Sequence, residues 1–168
     1  MASRFPPAAS LPKIFLVEDY TADSMLMKIG VKRAEAAIEL CVETTGEAAL
    51  AKLATAPAGG YRLAIIDLNL PRLSGLDVLK AIKADPHLSD LPVIMMTSSK
   101  SSDDVERAYA LGADGYLVKP FEPKDYEALA IALAEACDDL ARLETAVGKQ
   151  HFLPRPQSRR PSDDHGFL

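Results

Sequence analysis

Two hydrophobic rhythms alternate along the chain. One is a short unbroken apolar run: Ile14-Phe15-Leu16-Val17 after Lys13, Leu63-Ala64-Ile65-Ile66, Val93-Ile94-Met95-Met96 after Pro92, and Tyr116-Leu117-Val118 after Gly115. A weaker version spans Ala37 to Val42. Runs this short, bounded by turn-forming residues, read as strands buried on both faces. The second rhythm is a three-and-four spacing that predicts helices. The first helix carries Met25, Leu26, Ile29 and Val31, is capped by Thr21 or Asp23, and fades near Glu35. The next runs through Ala48, Leu50 and Leu53 and is closed by Pro57 and Gly59-Gly60. A third places Leu76, Val78, Leu79 and Ile82 on one face and ends at Asp85-Pro86, because the residue before proline resists the helical conformation. A fourth, capped by Ser102 or Asp103, runs through Val105, Ala108 and Leu111 and stops at Gly112. The last starts near Pro123, where proline is tolerated. Five strands alternating with five helices predict a parallel, doubly wound α/β sheet.

The last helix is expected to be long, reaching Val147. Leu129, Leu133, Ala136, Leu140, Leu143 and Val147 alternate by four and three, which is the seam of a helix that pairs with another helix. Its second half would project past a sheet of this size. A homodimer through the last two helices and the fifth strand is therefore expected, with Leu129, Leu133, Leu140, Leu143 and Val147 as its seam. Outside residues 12–147, the Pro- and Ala-rich residues 1–11 are expected to be disordered. Residues 148–168, with Pro154, Pro156 and Pro161 among scattered arginines, are expected to form a flexible tail.

Composition narrows the function classes. A net charge of -5, and arginines without interleaved aromatics, argue against nucleic-acid binding. No apolar run approaches the ~20 residues that cross a bilayer, and residues 1–7 lack the apolar core of a secretory signal. Cys41 and Cys137 show no metal-ligand spacing, so a reduced, cytoplasmic protein without membrane attachment is expected.

Candidate chemistry lies where the apolar runs end. The first run delivers Glu18 and Asp19, the third Asp67, the fourth Thr97 and the fifth Lys119. In a parallel sheet these ends share one edge, which is where such folds bind ligands. Three carboxylates brought together raise one another's pKa unless a cation sits among them, and Mg2+ prefers oxygen ligands of this kind. One lysine and one hydroxyl could then hold phosphoryl oxygens beside an acidic nucleophile. Taken alone, Asp67 could equally cap a turn, Lys119 could be a solvated surface lysine and Thr97 a strand-end cap. The coincidence of all of them at strand ends is what favours chemistry.

The motifs Val17-Glu18-Asp19, Asp67 with Asn69-Leu70-Pro71 and Gly75, Met96-Thr97-Ser98, and Gly115-Tyr116-Leu117-Val118-Lys119-Pro120-Phe121 together resemble the receiver domain of bacterial two-component response regulators. The resemblance covers residues 13 to roughly 137. It implies a (βα)5 flavodoxin-like fold with strand order 2-1-3-4-5. It implies that Asp67 accepts a phosphoryl group from a sensor histidine kinase or phosphotransfer protein, with no enzyme activity beyond Mg2+-dependent self-phosphorylation and autodephosphorylation. Asp19, Asp67 and the backbone carbonyl of Asn69 would ligate Mg2+, and Glu18 would act through a metal-bound water. Thr97 and Lys119 would bind phosphoryl oxygens, Tyr116 would be a switch aromatic coupled to Thr97, and the Lys119-Pro120 peptide would be cis.

Softer marks, including Thr97-Ser98-Ser99 ahead of Asp103-Asp104-Val105 and Leu143-Glu144-Thr145, are similar to single-domain regulators that partner bacterial phytochrome kinases. With no DNA-binding element after the last helix, output is expected through a partner or dimerisation. The competing reading is a pseudo-receiver, a protein-interaction module of the same fold without phosphorylation. A haloacid-dehalogenase-like phosphatase would need an acid where Asn69 stands. A flavodoxin relative would need a phosphate loop where Glu18-Asp19 would repel phosphate.

Overall fold

The computed structural model describes residues 10–149 and 151–157. Five parallel strands form one sheet: β1 (Lys13–Val17), β2 (Glu39–Glu43), β3 (Leu63–Ile66), β4 (Val93–Thr97) and β5 (Gly115–Val118), in the order β2-β1-β3-β4-β5. The helices between them are α1 (Thr21–Arg33), α2 (Gly46–Thr55), α3 (Gly75–Ala84) and α4 (Ser102–Ala110), and α5 (Pro123–Ala136) follows β5. This is the doubly wound fold and the strand order that the sequence implied. No helix among the described residues is long and apolar enough to cross a membrane.

The strand runs look uniformly apolar because both faces of the sheet are covered, yet the pleat still divides them. Phe15, Val17, Ala64, Ile66, Val93, Met95 and Tyr116 join one core with residues of α2, α3 and α4. Ile14, Leu16, Leu63, Ile65, Ile94, Met96 and Leu117 join the other with residues of α1 and α5. Tyr116 and Leu117 are neighbours in sequence but belong to opposite cores.

Local signals differ from expectation at several ends. The weak second run starts later than Ala37, with β2 at Glu39. Neither Thr21 nor Asp23 caps α1; Tyr20 is the N-cap and makes no side-chain capping bond. Ser101, not Ser102 or Asp103, is the N-cap of α4. By contrast, Ser74 and Asp77 form a full capping box at the start of α3, in which each side chain accepts from the other residue's backbone N–H. This fixes the loop between β3 and α3.

The expected long last helix is two helices. α5 stops at Ala136, and α6 (Arg142–Val147) follows after a turn. The Asp138-Asp139 pair explains the break. Asp139 Oδ1 accepts a hydrogen bond from Ala141 N at 3.1 Å, which offers the backbone a turn in place of another helical bond. α6 packs onto the same core as α5. Leu129, Leu133 and Leu143 are buried there, with Leu140 and Val147 packed against it. The seam residues thus contribute to an intramolecular core, and their spacing reports two short helix faces packed on it rather than one continuous helix.

The C-terminal residues differ as well. Gly148 takes φ 72°, a left-handed turn that glycine adopts without strain. The chain then runs antiparallel along the outer edge of β5, where Val118 N donates to His151 O at 2.8 Å and Leu153 N donates to Tyr116 O at 2.9 Å. Tyr109 Oη donates to Leu153 O at 2.6 Å, and the Arg155 guanidinium lies 5.4 Å from the Tyr109 ring centre. Residues 151–153 are therefore paired to β5 through one antiparallel bridge and are not a free tail. The expectation for residues 158–168 lies outside the described residues, as does that for residues 1–9 of the N-terminal segment.

Two measurements follow from this packing. Leu143→Ala is expected to destabilise the protein by about 2–4 kcal/mol, because it empties a fully buried position. The loss should be independent of protein concentration in urea unfolding, whereas a dimer seam would give a concentration-dependent one. Gly75 opens α3 directly beneath Asp67, and a Cβ there would collide with the Asp67 carbonyl oxygen. Gly75→Ala should therefore cost about 1–3 kcal/mol in the same measurement, although alanine is the better helix former.

A carboxylate and lysine cluster at the C-terminal edge of the sheet

Three of the candidate residues are pinned by hydrogen bonds that continue the sheet. Glu18 N donates to Glu43 O, Asp67 N to Val17 O, and Lys119 N to Thr97 O, all at 2.9–3.0 Å. The ladder thus continues one residue past each strand and holds the side chains at one edge. Glu18, Asp67, Thr97 and Lys119 are all buried there, while Asp19 is exposed.

Lys119 is the centre of the cluster. Its Nζ lies 2.6 Å from Glu18 Oε2, 2.7 Å from Asp67 Oδ2 and 2.8 Å from Asp23 Oδ2. The contacts to Asp23 and Asp67 are well-aligned hydrogen bonds. The approach to Glu18 Oε2 is an ion-pair contact outside hydrogen-bonding geometry, and it leaves that oxygen without a hydrogen-bond donor. The other carboxylate oxygens are held by backbone: Glu18 Oε1 accepts from Tyr20 N at 3.0 Å and Asp67 Oδ1 from Asn69 N at 3.1 Å.

The electrostatics follow from this crowding. Burial pushes the Glu18 carboxyl up to about 7; Lys119 opposes that rise, and the Asp67 charge adds to it. Burial alone would lower Lys119, but its contacts with the Asp23, Asp67 and Glu18 carboxylates outweigh it and hold the ammonium above its ordinary range. Glu18, Asp19 and Asp67 each offer a carboxylate oxygen, and these oxygens lie within 4.8 Å of one another. An all-oxygen set with more carboxylates than neighbouring cations is suited to a hard divalent cation such as Mg2+. The Asn69 backbone stands next to this set through its bond to Asp67, and the Asn69 side chain reaches Thr97 Oγ1 at 3.5 Å.

On the other side of Asp67, Thr97 is fully buried and its Oγ1 accepts from Ser99 N at 3.4 Å. Tyr116 is also fully buried; its hydroxyl donates to Ser99 O at 3.1 Å, and burial pushes it up to about 12. Ser99 Oγ donates to Asp104 in α4 at 2.8 Å. Thr97 and Tyr116 thus meet at Ser99, in the loop that leads to α4.

The structure brings together Glu18, Asp19, Asp67, Asn69, Thr97 and Lys119, with Tyr116 one residue further out. It does not show the expected cis peptide: no peptide bond among the described residues is cis, and Lys119-Pro120 takes the trans form that costs less in the absence of other constraint. Asp23 is the participant that sequence reading missed. A carboxylate four residues after Asp19, in the first turn of α1, reads locally as a helix-end residue, and its partner Lys119 is 96 positions away.

Comparisons with known proteins agree with this geometry. The sequence profile of the response regulator receiver domain matches residues 14–130. Response regulator Rcp1 of Synechocystis sp. is 39% identical over 118 residues, covering 67% of this chain and 79% of Rcp1. The crystal structure of the Mn2+-bound form of Rcp1 superposes with a TM-score of 0.64 at 35% identity, covering 74% of this chain and 92% of that one. The phosphorylated cyanobacterial phytochrome response regulator RcpA superposes with a TM-score of 0.68 at 29% identity, covering 77% of this chain and 96% of that one. Fold, strand-end chemistry and sequence converge: the chain belongs to the response regulator receiver domain family.

Proposed function

We propose that this protein is a phosphoacceptor in a two-component relay, taking a phosphoryl group on Asp67 from a phosphohistidine of a sensor kinase or phosphotransfer protein. The observation that carries the reading is the buried Asp67 carboxylate, faced by one ammonium and backed by two further carboxylates at the sheet edge. In the reaction an Asp67 oxygen attacks phosphorus, an O–P bond forms, the N–P bond breaks, and the histidine nitrogen leaves with the electron pair. Glu18, Asp19, Asp67 and the Asn69 carbonyl would hold Mg2+, which when bound screens the phosphoryl oxygens from the carboxylates. Lys119 Nζ and the Thr97 hydroxyl donate to those oxygens, so the chain contributes fixed positive charge and donors rather than a base. Water attacking the same phosphorus returns Asp67 to its carboxylate, and no further enzyme activity belongs to the reading.

Drawing Thr97 toward a phosphoryl oxygen pulls on Ser99, and through it on the Tyr116 hydroxyl and Asp104. Loop, aromatic and α4 then form the two-state element that the added charge biases. The signal leaves by association with a partner or a second copy on the α4–β5–α5 side. The likeness to phytochrome response regulators supports a light-sensing histidine kinase as the donor.

Intact mass after incubation with acetyl phosphate and Mg2+ is expected to show one added phosphoryl group. The adduct should vanish with EDTA and in Asp67→Asn. No adduct in the wild-type protein even on rapid quenching would favour the pseudo-receiver. Thr97→Ala should still label, but about 100-fold more slowly in quenched time courses, as for loss of one oxyanion donor.

A further inference from the structure

We infer that Asp23 is a positioning residue that holds the Lys119 ammonium beside the acceptor when the other carboxylates are engaged by a cation; the inference rests on the phosphoacceptor reading above. Lys119 Nζ spends its contacts on three carboxylate oxygens: Glu18 Oε2, Asp67 Oδ2 and Asp23 Oδ2. Two of these residues, Glu18 and Asp67, belong to the oxygen set suited to a divalent cation, and Asp23 does not. The second oxygens of Glu18 and Asp67 each accept a backbone N–H. A cation bound among Glu18, Asp19 and Asp67 would offset the negative charge that holds Lys119, and like charge would push the ammonium away from them. Asp23 is the partner that remains. It keeps one N–H of the ammonium satisfied while another turns to a phosphoryl oxygen.

The placement suits that role. Asp23 lies in the first turn of α1, where the exposed N–H groups of the helix favour an anion. Its side chain is 23% exposed, against 6% for Asp67, so it stays outside the region that a metal and a phosphoryl group would fill. α1 is also buttressed by α5 through Gly30, where a Cβ would meet the Tyr126 carbonyl, so the carboxylate is carried by a fixed helix. An ammonium on a four-carbon stem has many rotamers, and tethering it removes that freedom before the reaction.

The experiment is quenched labelling with acetyl phosphate at saturating Mg2+, together with Mg2+ titration followed by NMR without phosphodonor. Asp23→Asn is expected to lower the maximal labelling rate by about tenfold, with KM for acetyl phosphate unchanged or lower, and Asp23→Glu to recover most of it. The Mg2+ affinity should fall more on Asp23→Asn in the presence of Lys119 than in a Lys119→Met background, because the freed ammonium then competes for Asp67. Should Lys119→Met fail to fold, the Lys119 15Nζ–H signal of the Mg2+-loaded protein serves instead: visible with Asp23 and lost to exchange in Asp23→Asn. Wild-type rates in Asp23→Asn, equal Mg2+ losses in both backgrounds, or an unchanged 15Nζ signal would each overturn the inference. Absence of labelling in the wild-type protein would instead overturn the phosphoacceptor reading itself.

Discussion

The cluster at the sheet edge depends on a single balance, one ammonium against buried carboxylates. Glu18 and Asp67 are almost fully withdrawn from water, a position in which charge is costly unless paired. Lys119 supplies the pairing, and the backbone N–H groups of Tyr20 and Asn69 supply the rest. Burial is the main reason Glu18 is pushed upward even with Lys119 at 2.6 Å, and the Asp67 charge that one ammonium leaves incompletely balanced adds to it. The site is thus held together by an ion pair that is strained by its surplus of acid. That surplus of oxygen ligands suits the edge to a hard divalent cation, on which the proposed phosphoacceptor role rests.

The pleat gives this balance two outlets. Residues of β5 alternate between cores: Tyr116 faces the α2–α3–α4 side, whereas Leu117 faces α1 and α5. Lys119 reaches Asp23 on α1, and Thr97 reaches Ser99 ahead of α4. Asp67, at the end of the central strand, touches the first chain of contacts directly and the second through Asn69. Charge pairing therefore lies on the α1 side and the Thr97–Ser99–Tyr116 contacts on the α4 side, with Gly75 letting α3 pass close beneath Asp67.

The outer edge of β5 is closed by the protein's own C-terminal segment. An unpaired edge strand is a template for pairing with other chains, and residues 151–153 pair the Val118 N–H and the Tyr116 carbonyl on that edge. Because Leu153 bonds to the Tyr116 carbonyl and Tyr109 bonds to Leu153, this segment is tied to the residues that line the α4 side. Any association on the α4–β5–α5 side meets this segment as part of the surface.

By itself the sequence determined the sheet, its winding and the identity of the acidic edge. Those follow from local facts: strand runs short enough to be buried, helices with one apolar face, and polar residues placed where the runs stop. Tertiary structure decided what depended on distant partners. The Leu129-to-Val147 spacing looks like one continuous seam, but whether a helix continues through Asp138-Asp139 depends on a side chain competing for the backbone and on a core available to α6. His151 to Leu153 carry no strand pattern of their own; only the open edge of β5 draws them into a bridge. Asp23 looks like a helix-end residue until β5 brings Lys119 within 2.8 Å of it. Periodicity is a property of neighbours along the chain, whereas charge pairing, edge pairing and the end of α5 are settled by groups that only the folded sheet brings together.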